Sequence, residues 1–348
     1  MFLLLNFVTA AGPEPTPDYL IFNSSEMGSG CYRIPSLVAA QNGTLIALTD
    51  RRPNNCGDLN INNQIKIAAR YSYDDGVTWG EERLLVDYGV DLSASDSSTI
   101  LNTQNGEILL FYNFWDYKNA RGVYKQHVKI SSDNGETWGD YIDITDQIAP
   151  QSSEHDFKFI TSGKGAQSRQ TGYIYQTMVD LQKGVFLIES QNGGRNWTRI
   201  NVSCDGADET TLIALENGNV LLNARPSHGS NRKFYEIDPR TQTLVKQEDR
   251  HDLVDPRCDA GFIKYYYGKS NIVFFSNANN GGARRNMTIK YSLDDALTFS
   301  SGKVVHPGNG GYSSLAVNRK YELIMLYENP DMKGLTVRNL PLDWVLDQ

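Results

Sequence analysis

Two kinds of residue could together act on an anionic substrate. They are arginines that follow or precede apolar segments, and one tyrosine in a glycine-rich segment. Arg225 ends the apolar segment 220–225, so its side chain would project from the end of a strand into a cleft. A planar guanidinium binds a carboxylate through two parallel hydrogen bonds, which a lysine ammonium does not. The phenol of Tyr312, in Gly-Gly-Tyr-Ser-Ser, needs a base and cationic neighbours to react, because its ordinary pKa is about 10. Taken singly, an arginine such as Arg33 in a strand lead-in could equally lie on a surface, and the tyrosine, one of 19, is more typical of a packed core.

The composition excludes some classes of function. The chain has 348 residues, a formal net charge of -8 and 40% hydrophobic residues. Nucleic-acid binding usually requires a basic face, and no segment has the roughly 20 apolar residues that cross a bilayer. An anionic ligand is still allowed, because a local group of arginines controls the field inside a cleft. We therefore expect a monomer with no nucleic-acid partner and no membrane span.

The N-terminus and the Asn-x-Ser/Thr sequons indicate whether the protein is secreted. Residues 1–12 contain an apolar run ending in small residues, like the second half of a secretory signal, although no basic residues precede it. Asn-x-Ser/Thr sequons, which also arise by chance, stand at Asn23, Asn42, Asn196, Asn201 and Asn286. These features favour a secreted or lumenal protein without excluding a cytoplasmic one, with residues 1–18 as a leader or an irregular N-terminus.

The cysteines indicate neither a disulfide framework nor a metal site. Four cysteines are sparse for a chain of this length, and whether Cys31 and Cys56 pair stays open. No Cys-x-x-Cys or His-x-x-x-His spacing suggests metal ligands, so we expect no metal and no cofactor.

An eight-residue pattern recurs along the chain. Residues 72–79 (Ser-Tyr-Asp-Asp-Gly-Val-Thr-Trp) and 131–138 (Ser-Ser-Asp-Asn-Gly-Glu-Thr-Trp) match closely, 190–197 match more weakly, and 292–299 lack both the Gly and the Trp. Successive copies start 59, 59 and 102 residues apart, so the last interval has room for a unit without the pattern. In each copy an apolar strand leads into a tight turn, where the Asp bonds to backbone and the Gly accepts a positive φ. The regular spacing indicates a repeat architecture.

Short apolar segments separated by Asn-Gly turns fill the intervals between these copies. Examples are residues 36–40, 108–112, 211–215 and 272–275. Hairpins about every ten residues, with almost no helical periodicity, predict an all-β protein. The unit length predicts a six-bladed β-propeller of four-stranded antiparallel blades, forming one domain over residues 19–348.

The eight-residue pattern is the Asp-box, and together with Tyr-Arg-Ile-Pro at residues 32–35 it makes the chain resemble the sialidase (neuraminidase) family over about residues 19–340. Asp-boxes also occur in propellers that are not enzymes, and they lie on the outer rim away from the site. The resemblance implies an exo-α-sialidase that removes terminal sialic acid from glycoproteins, glycolipids or oligosaccharides with retention of configuration.

The resemblance assigns three arginines, Arg33, Arg225 and Arg284, to the carboxylate of sialic acid. This carboxylate sits on the anomeric carbon, where a guanidinium fork suits it. Arg284 lies four residues before Thr288, as in the family pattern, and its neighbour Arg285 remains the alternative.

The resemblance also assigns the catalytic groups: Tyr312 as nucleophile, Glu209 as its base and Asp58 as general acid and base. A neutral phenol avoids the repulsion that an anionic nucleophile would meet at a carbon bearing a carboxylate. Asp58 has to protonate the leaving oxygen and then deprotonate water. Without the resemblance, Asp58 after Gly57 would be typical of a plain turn.

Three further residues receive supporting roles from the resemblance. Arg52, with Asp50 two residues before it, touches the carboxylate-bearing end or the O4 side of the sugar. Glu328 orients the first arginine, and Gln176, by a weaker analogy, lines the glycerol side of the pocket. Lys164, where proline is common in the family, is a departure that bears on specificity more than on the reaction class.

Two other hypotheses keep the same residues. The site could belong to a trans-sialidase, an anhydro-forming sialidase or an enzyme specific for a deaminated sialic acid, which product analysis would separate. The chain could also be a non-catalytic sialic-acid-binding lectin. That reading is less favoured, because Asp58, Glu209 and Tyr312 are all present.

Overall fold

The computed structural model describes residues 12–59, 61–119, 124–149, 158–268 and 270–347. Of the expected leader over residues 1–18, residues 1–11 lie outside the described part. Within the described part the strands form six antiparallel sheets, which are the blades of a β-propeller. The predicted fold is therefore confirmed. No helix among these residues is long and apolar enough to cross a membrane.

The first three complete blades follow one another along the chain. Their strands are β2 Cys31–Ala39, β3 Leu45–Arg52, β4 Lys66–Ser72 and β5 Arg83–Val86; β6 Leu92–Leu101, β7 Ile108–Asp116, β8 Tyr124–Ser131 and β9 Ile142–Asp143; and β10 Lys158–Ile160, β11 Ala166–Gln167, β12 Ile174–Asp180, β13 Gly184–Ser190 and β14 Thr198–Cys204. In the third of these blades β11 is an additional short strand that pairs with β12.

The remaining blades complete the ring. Their strands are β15 Ala207–Ala214, β16 Val220–Pro226, β17 Asn231–Asp238 and β18 Thr243–Val254; β19 Gly261–Tyr267, β20 Ser270–Ala278, β21 Arg285–Ser292 and β22 Lys303–Asn309; and β23 Ser313–Val317, β24 Glu322–Asn329 and β25 Gly334–Pro341 with β1 Tyr19–Asn23. Short helices occur at Thr145–Ile148 and Leu342–Leu346, and 3-10 turns at Ser24–Met27 and Pro330–Met332.

The sixth blade joins the two ends of the described chain. Strand β1 pairs antiparallel with β25, with Tyr19 opposite Val337, so the first strand in sequence is the outer strand of the last blade. Asp18 adds side-chain contacts here: Tyr327 Oη donates to Asp18 Oδ1 at 2.6 Å, and His306 Nδ1 lies 2.9 Å from Asp18 Oδ2. The ring is closed by hydrogen bonds between segments about 300 residues apart.

Antiparallel alternation determines which chain segments share a face. The start of a blade's first strand, the end of its second and the start of its third all lie on one face of the propeller. We call this the cleft face, and it carries Arg33, Arg225 and Tyr312. The Asp-box turns, residues 72–79, 131–138, 190–197 and 292–299, follow third strands and therefore lie on the opposite side.

The Asp-box turns repeat one set of hydrogen bonds. In residues 72–79, Gly76 N donates to Ser72 Oγ at 2.8 Å, and Thr78 N donates to Asp74 Oδ1 at 2.9 Å. The degenerate copy at 292–299 keeps both bonds, from Ala296 N at 2.9 Å and Thr298 N at 2.9 Å. Ala296 adopts a φ of 67° where Gly76 has 89°, so an alanine occupies a conformation that favours glycine. The blade β15–β18 lies in the interval of 102 residues and has no such turn, which confirms the predicted unmarked unit.

Apolar side chains of neighbouring blades pack against each other between the sheets. Leu187 of the third blade lies in one buried cluster with Leu222 and Tyr235 of the fourth, and all three are fully buried. Burial of this kind supplies the main favourable term in folding and makes each blade depend on its neighbours.

Candidate active site

Irregularities in three inner strands shape the cleft face. The pairing register shifts between Arg33 and Ser36 in β2, between Ser95 and Ser98 in β6, and between Ala207 and Thr210 in β15. A bulge re-aims the side chains beside it and often lies next to an active site. Two residues at these bulges, Ile34 at φ 61° and Asp96 at φ 59°, have positive φ values that cost backbone energy for non-glycine residues.

Tyr312, Glu209 and Arg225 form a hydrogen-bonded triangle on the cleft face. Tyr312 Oη donates to Glu209 Oε1 at 2.6 Å, and its oxygen accepts from Arg225 Nη1 at 2.9 Å. Arg225 Nη1 also donates to Glu209 Oε2. Tyr312 is 5% exposed and Glu209 is 7% exposed. The phenol therefore lies between a base and a cation in a largely dry setting.

Burial dominates the protonation of this pair. Burial raises the pKa of Tyr312, the charge of Glu209 raises it further, and Arg225 and Arg33 lower it. Burial likewise raises the pKa of Glu209, against the lowering effect of Arg225. The raised pKa of Tyr312 favours the neutral phenol in the resting site, and the raised pKa of Glu209 makes its carboxylate a stronger acceptor of the phenolic proton. A phenolate would therefore form only as that proton passes to Glu209.

Two more arginines flank the tyrosine ring. The guanidinium carbons of Arg33 and Arg284 lie 5.4 Å and 5.2 Å from the ring centroid. The side chains of Arg33 and Arg225 are 26% and 22% exposed, so both can meet a ligand. The alternative Arg285 is the first residue of β21 and has no contact with the ring among those the structure gives. Arg284 is thus the member of this pair that reaches the site.

Glu328 connects the first arginine to the tyrosine backbone. Its Oε1 accepts from Arg33 Nε at 2.8 Å and from Ile34 N at 3.1 Å, and its Oε2 accepts from Tyr312 N at 3.3 Å. Burial alone would raise the pKa of Glu328, but Arg33 holds it below its ordinary value. A Cβ at Gly311 would lie 2.3 Å from Glu328 Oε2, which explains the glycine beside Tyr312.

Asp58 lies on the loop between β3 and β4. Its side chain is 75% exposed, and Arg52 Nη1 donates to its Oδ1 at 2.6 Å. An exposed carboxyl group can exchange protons with solvent between two proton-transfer steps. The loop also holds Cys56, which forms a disulfide with Cys31 at a Cα–Cα distance of 5.5 Å. The pairing that the sequence left open is thus present.

Two predicted pocket residues do not reach the surface of the site. The Arg52 side chain is fully buried, and its guanidinium is used by Asp50, by Asp58 and by the carbonyl groups of Cys56 and Gly57. Gln176 is also fully buried, and its Nε2 donates to Ser98 Oγ at 2.6 Å. Arg52 therefore anchors the Asp58 loop to β3, and Gln176 connects β12 of the third blade to β6 of the second.

Sequence reasoning missed two carboxyl groups near the site, those of the half-buried Asp96 and the buried Asp259. Burial and the charge of Asp50 raise the pKa of Asp96 well above its ordinary value. Burial and the charge of Glu209 raise the pKa of Asp259 to about 7. Asp259 Oδ2 accepts from Ser162 Oγ at 3.0 Å, and its Oδ1 accepts from Ala260 N at 2.8 Å. Neither residue stands in a local pattern that could have identified it.

Comparisons with known proteins support the family resemblance. Residues 34–328 match the family model described as a BNR repeat-like domain. The chain is 30% identical to a sialidase of Micromonospora viridifaciens over 96% of this chain and 55% of that protein. It is 27% identical to a sialidase of Bacteroides fragilis over 94% of this chain and 65% of that protein.

A solved structure of a Hadza microbial sialidase has the same fold, with a TM-score of 0.84 and 24% identity over 94% of this chain and 69% of that one. The chain spans only about half to two thirds of the length of the two curated relatives.

Proposed function

The chain belongs to the sialidase family of BNR repeat-like proteins, and from this premise we propose that it is a retaining exo-α-sialidase that hydrolyses terminal sialic acid from glycans. One observation carries the proposal. The hydroxyl group of Tyr312 is buried between the Glu209 carboxylate and the Arg225 guanidinium, in a cleft flanked by Arg33 and Arg284.

The arginines account for substrate binding in this proposal. The carboxylate of sialic acid would meet the exposed portions of Arg33, Arg225 and Arg284, each able to donate two parallel hydrogen bonds. Arg225 Nε is buried and lies 3.8 Å from Asp208 Oδ2, so a ligand would meet the exposed part of this guanidinium instead. Three cations in one cleft also explain how a chain of net charge -8 could take up an anion.

The first chemical step uses Tyr312, Glu209 and Asp58. Glu209 takes the phenolic proton, the phenolic oxygen attacks the anomeric carbon, and the bond from that carbon to the leaving oxygen breaks. Asp58 gives the leaving oxygen its proton. Arg225 stabilises the negative charge that develops on the phenolic oxygen, because its Nη1 already lies 2.9 Å away.

The second step reverses these transfers. Asp58, now a carboxylate, takes a proton from water, and the hydroxide oxygen attacks the anomeric carbon. The bond to Tyr312 breaks and the phenolic oxygen recovers its proton from Glu209. Two displacements at one carbon retain its configuration.

Turnover of an aryl sialoside with and without a 2,3-dehydro sialic acid inhibitor tests the proposal. We expect release of the aryl alcohol, inhibition by the analogue and the α-anomer as the first sugar product in a time-resolved NMR spectrum. Binding of the analogue without turnover would contradict an enzyme and support a lectin. Formation of a 2,7-anhydro sugar, or transfer of sialic acid to another sugar, would indicate one of the alternative reactions instead of hydrolysis.

A further inference from the structure

We infer that the Cys31–Cys56 disulfide positions Asp58 as the proton donor, so that hydrolysis of unactivated sialosides depends on this bridge being oxidised. The inference rests on the proposed function and concerns one step within it, the protonation of the leaving oxygen. It assigns a positioning role to two cysteines that lie outside the carboxylate clamp and the tyrosine pair.

The loop that carries Asp58 has no strand of its own. Residues 53–65 connect β3 to β4, and apart from three hydrogen bonds donated by Arg52, the described hydrogen bonds at 55–58 are internal to the loop. Gly57 N donates to Asn55 Oδ1 at 2.7 Å, and Asn62 Nδ2 donates to Asn55 O at 2.9 Å. Such bonds preserve the shape of the loop but do not fix it to the propeller.

Asp58 lies between two anchors. On its C-terminal side Leu59 is 4% exposed and packs with Ile65, Trp115 and Tyr124. On its N-terminal side the anchors are Arg52 Nη1, which reaches the Cys56 and Gly57 carbonyl groups at 3.1 Å, and the disulfide itself. Arg52 contributes hydrogen bonds that a moving loop can exchange with water, whereas the disulfide is covalent.

The other end of the bridge is a rigid part of the cleft. Cys31 is the first residue of β2, is 8% exposed and pairs in register with Arg52. It stands two residues before Arg33, just as Cys56 stands two residues before Asp58. The bridge therefore ties the strand of the carboxylate clamp to the loop of the proton donor. Cys56 is exposed, so a reductant in solution can reach it.

Loss of the bridge would leave the rest of the site in place. Tyr312, Glu209 and Arg225 lie on the fourth and sixth blades and make no contact with the 53–58 segment in the described hydrogen bonds. The defect should therefore appear only where proton donation limits the rate. A sugar alkoxide is a poor leaving group and needs the proton, whereas an acidic aryl alcohol leaves with little help.

The test compares two substrates, a sialyl-galactoside and a 4-nitrophenyl sialoside, in a Cys31→Ser/Cys56→Ser variant. We expect kcat/KM for the sialyl-galactoside to fall at least about tenfold and that for the aryl sialoside less than about threefold, since a positioned acid contributes roughly 10²–10⁴-fold. Affinity for the 2,3-dehydro inhibitor should stay the same. Asp58→Asn should show the same selective defect to a larger extent.

A matched control removes a different cysteine. Cys204 is free and fully buried in β14 of the third blade, and Cys204→Ser should leave the ratio of the two substrates unchanged. An equal loss on both substrates in the double variant, or no loss on either, would overturn the inference. Failure of the wild-type protein to act on either substrate would instead overturn the proposed function.

Reduction of the wild-type protein decides the matter if the double variant does not fold. A trialkylphosphine donates two electrons to the bridge and becomes its oxide with oxygen from water, while the two sulfurs take up protons as thiols. The treated protein should show the selective defect and regain activity on the sialyl-galactoside after reoxidation. Detection of four free thiols in the active, untreated protein would contradict the bridge.

Discussion

Asp133 in an Asp-box turn and Asp259 near the cleft are the same residue type with opposite protonation behaviour. Hydrogen bonds from Thr137 lower the pKa of the exposed Asp133 to about 2, whereas burial and the charge of Glu209 raise the pKa of Asp259 to about 7. The Asp-box turns thus use a carboxylate in its preferred charged form. The cleft contains carboxyl groups in a setting that disfavours their charge, which is a stability cost that functional sites often carry.

The two regions also differ in the range of their contacts. In the turn 131–138, Gly135 N donates to Ser131 Oγ and Thr137 N donates to Asp133 Oδ1, over four residues in each case. In the cleft, Tyr312 meets Glu209 across 103 residues and Arg33 meets Glu328 across 295. The turns are encoded locally, whereas the cleft exists only once the whole ring has formed.

The largest expected effect is on turnover and comes from Tyr312→Phe. This change removes the proposed nucleophile while keeping the ring that Arg33 and Arg284 flank, so kcat should fall by at least about 10³-fold. Binding of the 2,3-dehydro inhibitor, measured by calorimetry, should persist. Full activity in this variant would remove Tyr312 from the mechanism.

Asp259→Asn should change the pH dependence of stability. Asp259 in the folded protein holds its proton up to about pH 7. The contribution of this protonated group to the free energy of unfolding is therefore complete below pH about 4 and is lost as the pH rises to about 7. Asparagine has no charge to bury and keeps the contacts with Ser162 and Ala260. On going from pH 5 to pH 8, the free energy of unfolding of the variant should therefore rise relative to that of the wild type by on the order of 2–3 kcal/mol. Thermal denaturation at both pH values measures this, and parallel wild-type and variant curves would argue against a raised pKa.

Arg284→Lys should weaken substrate binding, with Arg285→Lys as its matched control. Lysine keeps the positive charge but loses the second parallel hydrogen bond, so affinity for the 2,3-dehydro inhibitor should drop about tenfold. The same change at the neighbouring Arg285 should have little effect, because Arg284 and not Arg285 contacts the Tyr312 ring among the described contacts. If the two variants behaved in the reverse order, the arginine assignment would pass to Arg285.

The smallest expected effect belongs to the Asp-box turns. Asp133→Ala removes the acceptor of Thr137 N and Thr137 Oγ1, and the free energy of unfolding should fall by about 1 kcal/mol. Because the turn lies on the side opposite the cleft, kcat/KM should stay at its wild-type value. A matching loss of activity would show that the two regions are coupled more tightly than their separation indicates.

Because the turns are encoded locally, they could be predicted from the sequence, whereas the contacts in the cleft could not. Patterns within a few residues predict the Asp-box turns at 72–79 and 131–138 and the apolar strands before them. The spacing of these turns also predicts a blade without an Asp-box, which is β15–β18, and together they predict the propeller. The positions of Arg33, Asp58, Glu209 and Tyr312 came from a family resemblance, since no short pattern specifies contacts over 100 residues or more. The same limit explains why the sequence did not indicate the burial of Arg52 and Gln176, which partners from distant segments surround, or the environment of Asp259, which exists only in the folded ring.

The pairing of β1 with β25 has a consequence for the order of events during synthesis. The sixth blade supplies Tyr312 and Glu328, and the first blade supplies Arg33, so the proposed nucleophile and the first arginine face each other across the junction where the ring closes. Blades one to five can form as the chain emerges, but Arg33 must wait for its partner until the last blade has been made. The proposed activity would therefore appear late and all at once, because a chain that stops before β24 lacks Glu328, which holds both Arg33 and the backbone of Tyr312.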